Sequence, residues 1–434
     1  MKVTIAGAGG YLGEHIVRAA LAEGHDVVAI VRSGSSAKFP SSVRRLEGDL
    51  HEAAYVADAL ADCEAAIFAA GRNFKPDLPL DQYLAQNVEL TKIFFNAISS
   101  SNPSARVIFT SSMSAMAGSL EPLVFNETSG RAHVCVARLN AYDRAKVACE
   151  QLAREAGAAG RNVVILNPGL MLGPGASVNS SVSSALLLQW FCLKRFPIMV
   201  ACGGHSVCDV RDVARAHVAA LTEGHGQYIL GGENIDALQL YDLMSEQTGI
   251  RRPPRAPLWL VSALVTTLDA ASALTFGWLR SPLHRDFVRS QPLFYWGSSD
   301  RATCELHYRR RPLTQTIRDT IADFVGRGLV PSDLRFAASI TDENRDALLL
   351  FSELARSHIH RTHLLPRLPE ILAACRQNHE LAAALDTALS GACYDHARGR
   401  FHWTGDRPEA ALGRLRRLLD YCYYASDEFR ERMS

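Results

Sequence analysis

The sequence predicts an α/β fold, a doubly wound parallel sheet with a small substrate-binding lobe and an appended all-helical C-terminal domain. Three observations predict it. Short β-rich runs alternate with helical patterns through the first two-thirds of the chain. A glycine-rich turn joins the first of these runs to the first helix, and beyond about residue 331 the strand-like runs vanish.

Taken in order, strands are expected at residues 3–6, 27–31, 66–69, 107–110, 163–166 and 228–230, each a short run rich in Val, Ile, Ala or aromatic residues. Helical patterns lie between them, at 13–22, 84–98 and 142–155. Two segments break the alternation, 179–200 and 236–312. In a doubly wound fold such insertions build the substrate side of the cleft. Residues 1–330 thus read as one unit, its core mainly 1–178 and 201–235 and its lobe mainly 179–200 and 236–312. A boundary near Val330 precedes the tail, 331–434, where 344–358, 369–389 and 408–426 show helical periodicity.

Composition narrows the function classes. The 434 residues are 48% hydrophobic and 21% charged, with a net charge of +1, so nothing in the bulk electrostatics favours nucleic acid or an anionic membrane. Ten cysteines run from Cys63 to Cys422 without a CxxC pair, which fits free thiols in a reducing cytoplasm. Met1-Lys2 lead straight into an apolar run and then glycines, which is no secretory leader. Residues 256–279 are almost wholly apolar, but Asp269 interrupts them and Ser262, Thr266 and Thr267 break their apolar face. A span needs roughly twenty unbroken apolar residues; membrane contact is not expected, and the stretch reads as a buried helix pair flanking the substrate pocket.

After the first run comes Gly7-Ala8-Gly9-Gly10-Tyr11-Leu12-Gly13. A tight strand-to-helix turn brings backbone N–H groups onto a pyrophosphate at a helix N-terminus, and only glycine permits the φ values and the close approach. The glycines follow a GxxGxxG spacing. The second strand runs into Arg32-Ser33, where an acidic residue would bind the ribose 2′-OH of NAD and an arginine accommodates the 2′-phosphate of NADP. Asp26 lies at the wrong end of that strand. NADP(H) is therefore favoured over NAD(H). Asp49-Leu50, ending the next extended run, is placed to line the adenine side.

Tyr142-Asp143-Arg144-Ala145-Lys146 opens a helical segment. Residues four apart share a helix face, and a neighbouring ammonium lowers a phenol pKa that is otherwise near 10. Twelve tyrosines and six lysines in 434 positions give only about 0.2 chance matches to this spacing. The group that orients a substrate oxygen is expected at a strand end, where Thr110-Ser111-Ser112 stand. Ser112 is chosen, with Ser111 and Ser114 close by. Tyr142 would pass a proton to or from the substrate oxygen while hydride moves at the nicotinamide.

Together these motifs, with Asn167-Pro168-Gly169, Asp209-Val210-Arg211-Asp212-Val213-Ala214 and Tyr228-Ile229-Leu230-Gly231-Gly232, resemble the extended short-chain dehydrogenase/reductase superfamily over about residues 1–328. The resemblance implies a Rossmann core, a Ser112-Tyr142-Lys146 triad, and cofactor contacts from Gly7, Gly10, Tyr11, Leu12, Gly13, Arg32, Asp49, Leu50, Ala69, Ala70, Gly71, Asn87, Pro168, Gly169 and Leu170. Lys146 would also bind the nicotinamide ribose. Asn167-Pro168-Gly169-Leu170-Met171-Leu172-Gly173-Pro174 looks most like the branch of dihydroflavonol reductases, 3β-hydroxysteroid dehydrogenases and hopanoid-associated epimerase-like proteins. Nucleotide-sugar epimerases usually carry an arginine where Asn167 stands and a tyrosine where Leu172 stands.

Nothing in that pattern accounts for 331–434. His358, His360, His363, His379, His396, His402 and Cys393 are spaced poorly for one ion, so no metal is expected. The tail is a candidate for docking a partner, and a homodimer is expected. The reading that results is an NADP(H)-dependent oxidoreductase interconverting a ketone and a secondary alcohol on a fairly apolar small molecule. The alternatives are an NAD-dependent sugar epimerase or dehydratase, and a dinucleotide-sensing regulator whose tail binds a partner.

Overall fold

Parallel strands covered on both faces must be apolar throughout, and the sequence meets that demand first in β1 (Lys2–Ala6), where all but Lys2 are buried. The computed structural model describes residues 1–73, 80–129, 133–175, 183–196, 198–200, 202–274, 285–331, 392–395 and 400–403. After β1 come α1 (Tyr11–Ala22), β2 (Asp26–Val31), β3 (Arg44–Glu47), α2 (Ala53–Leu60) and β4 (Ala65–Phe68). Next are α3 (Leu80–Tyr83), a π-helical turn (Leu84–Val88), α4 (Glu89–Ser101), β5 (Arg106–Thr110), β6 (Val124–Phe125) and α5 (Ala141–Ala158). They are followed by β7 (Val163–Pro168), β8 (Leu170–Leu172), α6 (Leu186–Cys192), β9 (Gly204–Asp209), α7 (Val210–Ala219), β10 (Gly226–Leu230), β11 (Glu233–Asp236) and α8 (Ala237–Thr248). The remainder comprises α9 (Leu258–Leu274), α10 (Arg285–Ser290), β12 (Phe294–Gly297), α11 (Asp300–Glu305), α12 (Leu313–Gly326), β13 (Ala392–Asp395) and β14 (Arg400–Trp403).

The chain forms two compact units. The first holds Met1–Leu186, Ile198–Gln239 and Arg255–Thr316. Its seven-stranded sheet has the order β10-β7-β5-β4-β1-β2-β3 and every pairing is parallel. This is the expected doubly wound Rossmann fold. One face is covered by α2, α4 and α5, with Phe68, Phe94, Phe95, Ile98, Phe109 and Ala153 in one buried cluster. The Phe68 and Phe109 rings stack with centroids 5.6 Å apart. On the chain's path the strand order reverses between β1 and β4. Ligands bind outside the strand carboxyl ends at such a switch point.

A second, smaller sheet in the same unit, β11-β9-β12-β6 with β8 paired to β9, was not anticipated. Its strands are only two to six residues long, too short to show a period. The apolar run after residue 256 also departs from expectation, because α9 is not a wholly buried helix. Val261 and Val265 pack on Val288 of α10, while Trp259, Leu260 and Leu264 on the other side are exposed. A uniformly apolar sequence carries no information about which side faces inward. Among the described residues no helix is long and apolar enough to cross a membrane.

The second unit holds Leu187–Pro197, Leu240–Pro254 and the described part of Ile317–Ser434. In it Tyr241 meets the rings of Phe191 and Phe196, Arg318 Nε donates to Gln247 Oε1 at 2.7 Å, and Arg252 pairs with Asp242 at 2.6 Å. Of the residues read as lobe, 255–312 fall in the first unit and 240–254 in the second. The tail is not purely helical as expected: β13 and β14 pair antiparallel, with Cys393 opposite His402. Tyr394, Phe401 and Trp403 favour strands, and the helical periodicity read from the sequence stops short of both segments. The helices expected at 344–358, 369–389 and 408–426 lie outside the described residues, as do His358, His360, His363, His379 and His396. Among the described residues no group of His, Cys, Asp or Glu is arranged to hold a metal ion.

Candidate active site

Because the large sheet is wholly parallel, all its strand carboxyl ends lie on one edge. Gly7 follows β1, Arg32 follows β2, Ala69-Ala70-Gly71 follow β4, Ser111-Ser112 follow β5 and Gly169 follows β7, so the residues singled out from the sequence converge there. The glycine turn is built as a cradle. Gly7 has φ +87°, and a Cβ on it would lie 2.7 Å from Ala70 N. A Cβ on Gly13 would lie 2.1 Å from Gly7 O, so only glycine lets α1 approach β1 this closely. No side chain caps α1 at Gly10. A helix N-terminus of this kind offers backbone N–H groups and a partial positive charge to an anion, which fits the pyrophosphate of a dinucleotide.

Other expected contacts divide by how they can act. Tyr11 turns its hydroxyl inward to Gly173 O at 2.7 Å, and Leu12 is buried. Arg32 is exposed directly after β2. Asp49 is held low by hydrogen bonds from the His51 backbone and ring, and Leu50 packs at the edge of the core. Asn87, 3% exposed, spends its amide on the loop after β4: Arg72 N donates to Oδ1 at 2.6 Å and Nδ2 donates to Arg72 O at 3.2 Å. It therefore shapes the Gly71 loop. Pro168 closes β7 and Leu170 opens β8. Between them Gly169 is obligatory, since a Cβ there would meet Ser206 O at 2.0 Å.

The Ser112-Tyr142-Lys146 set assembles from local rules. Asn140-Ala141-Tyr142-Asp143 forms a capping box, with Asp143 N donating to Asn140 Oδ1 at 3.0 Å and Asn140 N donating to Asp143 Oδ2 at 3.1 Å. That fixes the first turn of α5 and so aims Tyr142, whose ring rests edge-on against buried Tyr83 at 5.9 Å. Lys146 stands one turn on, its Nζ 5.9 Å from the Tyr142 ring centroid. Of the three nearby serines, Ser112 is the one whose hydroxyl holds the Tyr142 phenol down against burial. Ser114 donates to Ser112 Oγ at 3.0 Å, and Ser111 donates instead to Glu150 at 2.6 Å. Burial pushes the Tyr142 phenol up, and the Ser112 hydrogen bond opposes that rise. Burial pulls the Lys146 ammonium down, against the charges of Cys149 and Glu150.

Beneath this set lies a polar knot that sequence reading missed. The Glu150 carboxylate accepts from Ser111 Oγ (2.6 Å), Asn167 Nδ2 (2.6 Å), Gln227 Nε2 (3.0 Å) and Arg154 Nε (3.1 Å). Asn167 Nδ2 also donates to Ser112 O at 2.9 Å, and its Oδ1 accepts from Gln227 at 2.8 Å. Glu150 sits four residues after Lys146, which was a readable signal; Gln227 had none. Glu150→Leu would orphan three buried donors at roughly 1–3 kcal/mol each. We expect it to lower stability by about 3–5 kcal/mol, read from the midpoint of urea unfolding, with Glu150→Gln losing less.

Comparison with known proteins bears on this geometry. The profile of the NAD dependent epimerase/dehydratase family matches residues 3–231. Among relatives, a Synechocystis protein whose name proposes a dihydroflavonol 4-reductase is 27% identical over 357 residues, covering 75% of this chain and 95% of that protein. Sterol demethylase protein B of Methylococcus capsulatus is 27% identical over 76% of this chain and 100% of its own length. Cinnamoyl-CoA reductase 1 of Arabidopsis thaliana is 30% identical over 52% of this chain and 69% of its own. A nucleoside-diphosphate-sugar epimerase structure from Pseudomonas aeruginosa superposes with TM-score 0.61 at 22% identity, covering 76% of this chain and 99% of that one. The UDP-glucose 4-epimerase of Thermus thermophilus, solved with NAD, gives 0.58 at 20% identity, over 75% and 99%; at such identity the likeness is one of fold. With over half of its length matched to the family profile and reductases among its relatives, the chain belongs to the NAD dependent epimerase/dehydratase family and is an NAD(P)-dependent oxidoreductase.

Proposed function

We propose that the protein is an NADP(H)-dependent reductase that interconverts a ketone and a secondary alcohol on a fairly apolar small molecule. The observation that carries this reading is the Tyr142 phenol with Lys146 one helical turn on, its Nζ 5.9 Å from the ring centroid, and Ser112 influencing the same phenol. When bound, NADPH would supply a hydride, one proton with two electrons, to the carbonyl carbon. Ser112 donates a hydrogen bond to the carbonyl oxygen, and Tyr142 hands that oxygen its phenolic proton. A phenol held above its usual pKa stays protonated at neutral pH and is in the right form to donate. The Lys146 ammonium stabilises the phenolate left behind.

The choice of an apolar substrate over a nucleotide sugar is supported by Asn167. Where nucleotide-sugar epimerases usually carry an arginine, this side chain is fully buried and hydrogen-bonded to Glu150, Gln227 and the Ser112 carbonyl. The names of the reductase relatives point the same way. The test is NADPH oxidation across apolar ketones and aldehydes with Tyr142→Phe as control; catalysis with unconsumed, tightly held NAD would favour the epimerase reading.

The preference for NADP is carried by Arg32, exposed at the end of β2. Charge-assisted contacts to a phosphate are worth about twice a neutral hydrogen bond. Arg32→Ala is expected to raise the KM for NADPH about tenfold and to leave that for NADH within about twofold. Equal effects on the two cofactors would remove the assignment.

A further inference from the structure

We propose that Asn167 is a positioning residue: its buried amide, bonded to the Ser112 carbonyl, fixes where the Ser112 hydroxyl stands when it meets the substrate oxygen. The proposal rests on the Ser112-Tyr142-Lys146 reading above. The need for such a residue arises where the sheet ladder stops. β5 and β7 pair in parallel with Thr110 opposite Leu166, and Ser111 N donates to Leu166 O at 2.8 Å. In a parallel ladder the Ser111 C=O would take the next rung from the N–H of residue 168. Residue 168 is proline and has none. Ser112 thus stands past the end of the backbone pairing with β7. The Asn167 side chain takes over, Nδ2 donating to Ser112 O at 2.9 Å. Ala115 N donates to the same carbonyl at 3.0 Å, and Ser114 N donates to Ser112 Oγ at 3.2 Å. The serine is held by its carbonyl from β7 and by its hydroxyl oxygen from the turn that follows.

The direction of the Asn167 amide is dictated from outside the cleft. A guanidinium can only donate, so the Gln227 atom that meets Arg154 Nη2 is Oε1. Gln227 Nε2 is then left to donate to Glu150 Oε1 at 3.0 Å and to Asn167 Oδ1 at 2.8 Å. With Oδ1 so engaged, Asn167 Nδ2 has one hydrogen for Glu150 Oε2 at 2.6 Å and one for Ser112 O. A reversed amide would set Asn167 Oδ1 against a carboxylate and a carbonyl, in a residue with no solvent exposure. The orientation is handed inward from Arg154, whose side chain is 47% exposed, to a peptide at the cleft.

The two residues before Ser112 are pinned by other groups. Thr110 Oγ1 lies 2.9 Å from His217 Nε2, and His217 Nδ1 lies 2.8 Å from Val213 O. A carbonyl can only accept, so Nδ1 carries the ring proton and Nε2 accepts from Thr110. Ser111 Oγ donates to Glu150 at 2.6 Å. Neither bond reaches Ser112; Asn167 is the member of the knot that does. A misplacement of about 1 Å in a group that must meet the reacting atoms costs up to about a hundredfold in rate. The amide therefore bears on turnover more than on cofactor binding.

The test uses the full chain with NADPH and the first of acetophenone, benzaldehyde and cinnamaldehyde that the parent reduces. Asn167→Leu, close in shape to asparagine, is expected to lower kcat about 10- to 100-fold, with the KM for NADPH within about twofold of the parent's. Combined with Ser112→Ala it should cost nothing further, the double variant staying within about twofold of Ser112→Ala alone. A merely structural role would multiply the two losses, and that result overturns the proposal. Gln227→Met serves if Asn167→Leu does not fold. It releases the Asn167 amide without touching Ser112, and its loss of about three- to tenfold should likewise vanish in the Ser112→Ala background. Crystal structures of the parent and of either variant give a readout that needs no turnover. Ser112 Oγ is expected to move by about 1 Å while Tyr142 and Lys146 stay, and a Ser112 in its parental place overturns the proposal. If Ser112→Ala itself keeps parental kcat, the triad reading fails and the proposal with it. If Ser112→Ala is slow and Asn167→Leu is not, the proposal alone fails.

Discussion

Tyr142→Phe is expected to lower kcat by about 10²–10⁴-fold, the usual contribution of a positioned proton donor, with little change in substrate KM or Tm. The ring stays where it is, since its edge-on contact with Tyr83 and its place in the cluster of Ala141 and Ala145 need no hydroxyl. Ser112 and Lys146 remain, but neither replaces the phenolic proton: Ser112 is a weak acid, and Nζ of Lys146 lies over the ring, 5.9 Å from its centroid. Steady-state NADPH oxidation against the ketone on which the parent enzyme turns over checks this. A variant retaining more than about a tenth of parental kcat would mean that the proton comes from elsewhere, and the triad reading would fall.

The second large effect lies at the cofactor turn. Gly13→Ala puts a Cβ 2.1 Å from Gly7 O and 2.9 Å from Ala8 Cα, both backbone atoms that no side-chain rotation can clear. Either α1 withdraws from β1 or the turn opens, and in both cases the N–H groups at the helix start leave the pyrophosphate position. Overpacking of this sort costs about 1–3 kcal/mol, so a fall in Tm accompanies the loss of binding. NADPH affinity, followed by the fluorescence of the bound nucleotide, is expected to drop by more than about a hundredfold. Gly24→Ala makes a useful control: it sits at φ +76° with open space around it, so backbone strain acts there without any clash at the cradle. NADPH binding unchanged in Gly13→Ala would show that the cofactor does not depend on this turn.

Much of this was legible before the structure, for a physical reason. The glycine turn, the end of β2 and the Tyr142-Lys146 spacing are local. Each is specified within a few residues by backbone conformation or helical period. The parallel sheet was legible because its strands are short apolar runs separated by amphipathic helices. What escaped was non-local or lacked a period. Gln227 reaches Glu150 across 77 positions of sequence, and Tyr295 of β12 reaches Asp143 across 152. The exposed side of α9 escaped because Trp259, Leu260 and Leu264 are no less apolar than the buried Val261 and Val265. Asn87 was read as a site residue, and its amide bonds the Arg72 backbone across fifteen positions, a pairing no local pattern announces.

The polar knot under the triad has an evolutionary consequence. Asn167 and Gln227 fix one another's amide orientation, and Glu150 takes a donor from each. A change at any one of them strands a donor or an acceptor in a dry interior, so these positions vary in concert or not at all. Lineages descending from this chain are therefore free to explore new chemistry only around the knot, and their divergence should be recorded at the rim of the cleft, above a foundation that stays fixed.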